Sequence, residues 1–134
     1  PLSVAAGLAT LRLATPAVYA AVDAAADRVA DALDAALTAE GVVHVVPRAG
    51  SLFGVAFLPD VPLDYATALT QQSYRYAAFF HAMLDAGVSL PPSVFEAWFL
   101  TAAHDDVALE HVLGALPAAA KAAAEALDPT LLAQ

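Results

Sequence analysis

The chain has no cysteine, which excludes disulfides, thiolate nucleophiles and Cys-ligated zinc or iron–sulfur sites and fits a reducing, cytoplasmic setting. Basic residues are scarce. Five Lys and Arg stand against 14 Asp and Glu, for a net charge of -9 and an isoelectric point near 4.4. That balance repels a phosphate backbone and no Lys/Arg cluster offsets it locally, so nucleic-acid binding is not expected. The six glycines form neither Gly-x-Gly-x-x-Gly nor Gly-Lys-Ser/Thr, so no phosphate cradle is expected either. Long uncharged runs are missing too: none exceeds 11 residues (Pro1 to Leu11 and Ala49 to Pro59), short of the ~20 that a membrane-spanning helix needs. No membrane crossing is expected.

What is abundant is apolar material. The chain is 60% hydrophobic with a mean hydropathy of +0.66, and 36 of its 134 residues are alanine. Charged residues make up 14% where a globular average is about 25%, so part of the surface is expected to lie against something else. The length suits one domain with a single core. The opening, Pro1-Leu2-Ser3-Val4, lacks a signal-peptide pattern and reads as the first turn of a helix, as in a piece of a longer polypeptide.

Helical spacing runs from Leu2 to Leu13, and Thr15-Pro16 starts a second helix in which Val18, Val22, Ala26, Val29, Leu33 and Leu37 form an apolar stripe. Asp23, Asp27, Asp31 and Asp34 read as a solvated face, and Gly41 as the stop. Val42–Val46 and Ser51–Leu58 read as strands of a hairpin with Pro47-Arg48-Ala49-Gly50 in the turn. A weak helical turn over Tyr65–Gln72 and an aromatic helix carrying Tyr76, Phe79, Phe80 and Met83 follow, the latter ended by Gly87. Val94–Thr101 reads as a third strand. A last helix begins near His104-Asp105-Asp106, with Pro117 expected to kink or break it. The order α-α-β-β-α-β-α predicts an α+β domain: helices on a small, mainly antiparallel three-stranded sheet.

The four histidines do not have metal-ligand spacing: His44 is in a strand, His81 in the aromatic helix, and His104 and His111 are seven apart. No metal site is expected. No Gly-x-Ser-x-Gly elbow supports a serine nucleophile, and Lys121, alone among alanines, reads as a solvated cation rather than a Schiff-base lysine. Glu96, in Pro91-Pro92-Ser93-Val94-Phe95-Glu96-Ala97-Trp98-Phe99, is more informative. On an extended segment it shares a face with Val94 and Trp98 and needs a partner; otherwise it sits at a bend and points to water. Of Arg12, Arg28, Arg48, Arg75 and Lys121, none is placed by sequence to meet it.

Five blocks carry a resemblance. They are Pro1 to Leu11; Arg48-Ala49-Gly50-Ser51-Leu52-Phe53; Asp64-Tyr65-Ala66; Phe79-Phe80-His81-Ala82-Met83-Leu84-Asp85-Ala86-Gly87-Val88; and Leu90-Pro91-Pro92-Ser93 with Phe95-Glu96-Ala97-Trp98-Phe99 and Ala102-Ala103-His104. In these blocks the chain resembles the C-terminal small domain of the glutamate-1-semialdehyde 2,1-aminomutase family, pyridoxal-phosphate enzymes of the fold-type I, class III-like aminotransferase group. It departs from the family pattern at Leu52, Gly54, Ser89 and Val94.

The resemblance implies that residues 1–134 are a single small domain, with residues 1–14 a helix entering from a large domain absent from this chain. It implies a homodimer that uses pyridoxal or pyridoxamine phosphate to turn glutamate-1-semialdehyde into 5-aminolevulinate, a tetrapyrrole precursor. The Schiff-base lysine and the cofactor-gripping residues would lie in the large domain, so this chain alone is expected to hold no cofactor, to lack catalytic residues and to be inactive. Glu96, with Ser93 beside it, is implied to border the substrate site, facing an arginine from outside the chain. Its partners would be its own large domain and a second subunit, and in isolation its bare apolar surface would drive self-association. Two alternatives are the small domain of another class III aminotransferase and a stand-alone acidic α+β protein-interaction module.

Overall fold

Pro16 occupies the first position of the long helix and Thr15 its N-cap, as proline geometry favours. The computed structural model describes residues 1–131; Leu132 to Gln134, part of the expected single domain, lie outside the described residues. Five α-helices are described: α1 Leu2–Leu13, α2 Pro16–Ala39, α3 Tyr65–Ala68, α4 Ser73–Asp85 and α5 Asp106–Glu125. Between them lie β1 Arg48–Ala49, β2 Leu52–Phe53 and β3 Trp98–Phe99, and a 3-10 turn follows at Pro129–Leu131. The fold is α+β, with an antiparallel sheet in the order β1-β2-β3.

The expected apolar stripe of α2 forms the core from Ala26 onward: Ala26, Val29, Leu33 and Leu37 are buried. They meet Phe79 and Met83 of α4 and Leu116, Ala119 and Ala120 of α5. Gly41 and Gly87 stop α2 and α4 at φ +68° and +84°, the left-handed conformation that side chains other than glycine's resist. Asp105 caps α5, its Oδ1 accepting from Ala108 N–H at 2.9 Å.

Three expectations are corrected. The hairpin turn is Gly50-Ser51 rather than Pro47–Gly50, because Arg48 and Ala49 pair with Phe53 and Leu52. Gly50, at φ +60°, stands first of the two turn residues, as a type II′ turn requires. The first two strands are also shorter than expected. Pro47 has no N–H to give the ladder, so beyond it the pairing is reduced to the bridge Val45–Ala56. Pro117 lies inside an unbroken α5. Its ring is at an exposed position while Leu116, Ala119 and Ala120 beside it are buried, so packing holds the helix through the lost hydrogen bond.

By length and composition α5 reaches what a membrane span requires, although the charge-free runs do not. Its buried stripe packs on α2 and α4, the arrangement of a core helix. In contrast, α1 buries nothing. It meets α2 at a 73° bend and leaves Leu2 85% and Leu13 75% exposed.

Candidate functional site

The sheet's pleat places Phe53 and Trp98 on the buried side, edge to face with ring centroids 5.7 Å apart, and leaves their neighbours Leu52 and Phe99 exposed. The third strand, expected over Val94–Thr101, is confined to Trp98–Phe99, and residues 94–97 do not continue it. Pro91 and Pro92 offer no N–H donors, the Ser93 hydroxyl accepts from Phe95 N–H at 3.2 Å, and Glu96 N–H donates to Ser93 O at 3.1 Å. The chain closes into a turn, and Glu96 stands exposed on it rather than on the face of Trp98.

That turn lies against the hairpin. A Cβ built at Gly54 would be 3.8 Å from the Glu96 carbonyl oxygen. Together they border an open cleft of about 370 Å³ lined by Leu52, Phe53, Val55, Val94 and Phe95, with Arg48, Gln71 and Glu96 as its charged or amide-bearing members. The size and apolar lining are those of a small-molecule site. Sequence reasoning found Glu96 and placed Arg48 in a turn; the structure brings both to one cleft. Ser93 is not among the lining residues, since its hydroxyl is engaged in closing the turn.

Arg48 is not free to pair with Glu96. Its guanidinium donates to Asp31 at 2.6 Å and to Asp27 at 3.3 Å, and these carboxylates, Asp31 first, raise its pKa further. The acid row of α2 is therefore solvated, as expected, yet serves as an anchor for β1. Its next member, Asp34, has Oδ1 3.3 Å from His44 Nε2. That contact is an ion-pair distance without hydrogen-bond alignment, while His44 Nδ1 lies 2.8 Å from Val42 O. Among the described residues no ion pair or side-chain hydrogen bond engages Glu96.

Tyr76 and Gln71 are the residues that periodicity did not single out for the site. The Tyr76 hydroxyl donates to Pro91 O at 2.6 Å, and burial first, with the Glu96 charge adding, pushes its pKa up to about 12. Gln71 is buried at the cleft, its Oε1 accepting from Phe57 N–H at 3.4 Å. A single glutamine ahead of a helix carries no periodic signal that could have marked it.

Among solved structures, the chain is similar to an omega-transaminase from Sphaerobacter thermophilus, with a TM-score of 0.77 at 22% sequence identity. The fold is that of a transaminase segment. The match covers 88% of this chain and 27% of that one, so the chain spans little more than a quarter of that transaminase. No family model matches.

The residues described do not fit a pyridoxal phosphate site. Lys121, the sole lysine, is on α5, pairs with Glu125 at 3.8 Å and is not part of the cleft lining. No group of three or more His, Asp or Glu able to hold a metal occurs among the described residues.

Proposed function

We propose that this chain is the small-domain portion of a pyridoxal-phosphate-dependent aminotransferase-type enzyme, with the Glu96 cleft forming one wall of its substrate site. The observation that carries the reading is the correspondence of 88% of the chain to a 27% share of an omega-transaminase. The cofactor and its lysine would then belong to the remainder of the enzyme, because the described residues do not fit them. When bound there, the cofactor supplies the electron sink for amino-group chemistry, and the protein supplies orientation and electrostatics. This chain would contribute an apolar wall and, in Glu96, a carboxylate at its edge.

The finer reading is the aminomutase that makes 5-aminolevulinate from glutamate-1-semialdehyde in the cytoplasm. The Pro91-Pro92-Ser93 and Phe95-Glu96-Ala97-Trp98-Phe99 stretch supports it. The solved neighbour favours the second reading, an ordinary transaminase of the same group. In either case the bare side of α1, with Leu2, Leu11 and Leu13, would pack on the large domain or the second subunit of a homodimer.

Expression of the complete coding sequence with pyridoxal phosphate tests all of this. Formation of 5-aminolevulinate from glutamate-1-semialdehyde, lost or reduced in Glu96→Gln, would establish the aminomutase. Transfer of an amino group to an external keto acid without 5-aminolevulinate would leave the transaminase. A product with no cofactor absorbance and neither activity would remove both and favour a stand-alone interaction module.

A further inference from the structure

Because no ion pair or side-chain hydrogen bond engages the Glu96 carboxylate among the described residues, its place depends on the backbone that carries it. The bonds of its turn, from Phe95 N–H to Ser93 Oγ and from Glu96 N–H to Ser93 O, close within residues 93–96. They set the shape of the turn and leave its position open. Position needs bonds to other elements. On one side the segment runs into Trp98, which pairs with Phe53 in the sheet. On the other, Pro91 and Pro92 have no N–H to give, and the hydrogen bond that reaches residues 89–96 from a helix is the one from the Tyr76 hydroxyl to Pro91 O, at 2.6 Å.

Tyr76 is a firm anchor for that corner. It is 3% exposed, its ring centroid lies 6.4 Å from those of Phe79 and Phe80, and its helix packs on α5. A ring so enclosed has little freedom to change rotamer, so its hydroxyl is a fixed point. After burial, the Trp98 side chain and the Glu96 charge are what act on the hydroxyl's proton, which places it close to both the end of the segment and its carboxylate. Glu96 is among the residues lining the cleft. A carboxylate there recognises a cationic group by where it stands, and a shift of about 1 Å in such a group is enough to lose much of a reaction rate.

We propose that Tyr76 is the positioning residue of this wall: by holding Pro91 it fixes where Glu96 stands at the cleft, and through Glu96 it sets how firmly a charged substrate is held. The proposal rests on the aminotransferase reading given above and adds to it a residue of α4 that does not itself line the cleft.

The test uses the complete enzyme with pyridoxal phosphate and compares wild type with Tyr76→Phe, Glu96→Gln and the double variant. The substrate is glutamate-1-semialdehyde or, for an ordinary transaminase, L-alanine with 2-oxoglutarate. Phenylalanine keeps the packing of the ring, and Gly87→Ala, at the far end of the same helix, serves as a control of similar stability loss. Tyr76→Phe should lower kcat/KM about tenfold, through KM more than kcat, whereas Gly87→Ala should leave KM unchanged. In the Glu96→Gln background, adding Tyr76→Phe should change kcat/KM by less than about twofold, because the residue it acts through has already lost its charge. Amide hydrogen exchange gives a readout that needs no activity: Phe95 and Glu96 should exchange faster in Tyr76→Phe and not in Gly87→Ala.

Equal losses of kcat/KM in the two backgrounds, or unchanged exchange at Phe95 and Glu96 in Tyr76→Phe, would overturn the proposal. An active enzyme that gives either result loses this inference alone. A protein with no cofactor absorbance and no activity removes the aminotransferase reading, and exchange at the turn still decides whether Tyr76 places Glu96.

Discussion

The Tyr76 hydroxyl donates to the Pro91 carbonyl oxygen at 2.6 Å, tying α4 to the corner that leads into the Glu96 turn. Tyr76 is itself buried and its ring lies near Phe79 and Phe80, so the hydroxyl is held by a rigid support. Removing it with Tyr76→Phe should cost about 1 kcal/mol in denaturant unfolding. The amides of Phe95 and Glu96 should also exchange hydrogen faster, because the corner loses its tether.

The same phenol makes stability depend on high pH. Its pKa is raised from 10.0 to about 12 by burial, so the folded state keeps a proton that the unfolded chain releases above pH 10. The contribution is fully present below pH 10 and is lost as pH rises through 12. Chemical unfolding measured across that window should show stability falling more steeply than in Tyr76→Phe. Equal slopes would mean that another group is responsible.

Arg75 joins the end of one helix to another. Its Nη1 donates to the carbonyls of Ala123 and Ala124 at 2.7 and 3.2 Å, while Nε holds Gln72 at 2.6 Å. Carbonyls in the last turn of α5 have no partner within the helix, so this guanidinium satisfies them and places a positive charge at the favourable end. Arg75→Ala should destabilise the protein by about 2 kcal/mol. Lysine, without the planar fork, should restore only part of that.

The Arg48 pairs with Asp27 and Asp31 are partly exposed, and such pairs contribute at most about 1 kcal/mol at low salt. Arg48→Gln should therefore lose less than about 1 kcal/mol, and the loss should shrink as salt is raised. A salt-independent loss of several-fold greater size would show that the hairpin is held by packing of the Arg48 stem instead.

Gly87 ends α4 at φ +84°, and a Cβ there would lie 3.4 Å from His111 Nε2. The conformation is the obstacle, since the contact is ordinary and the His111 side chain can yield. Gly87→Ala should cost about 1 kcal/mol, seen as a lower thermal midpoint with no change in the Glu96 cleft.

Local chemistry made much of the fold legible. Thr15-Pro16, the Gly41 and Gly87 stops, the apolar stripe of α2 and the acidic start of α5 each act within a few residues, so their positions could be read directly. The strand limits could not, because pairing depends on which N–H and C=O groups face a neighbour, and Pro47, Pro91 and Pro92 interrupt that supply. Pro117 does not break α5 for a related reason: its local penalty is outweighed by burial of Leu116, Ala119 and Ala120 against residues far away in sequence. Of the site, Glu96 was legible as an acid among apolar residues, but its turn, its cleft and Gln71 were not.

By itself the sequence determined the α+β composition, the helix ends and the unusual shortage of charge, since these follow from side-chain type and near-neighbour spacing. Only the tertiary structure decided the pairings that make a site. Arg48 meets Asp31 across 17 residues, Arg75 reaches Ala123 across 48, and Gln71 meets Phe57 across 14. Each bond joins groups that local propensity leaves independent, and it forms because the packed fold brings residues distant in sequence within reach of each other.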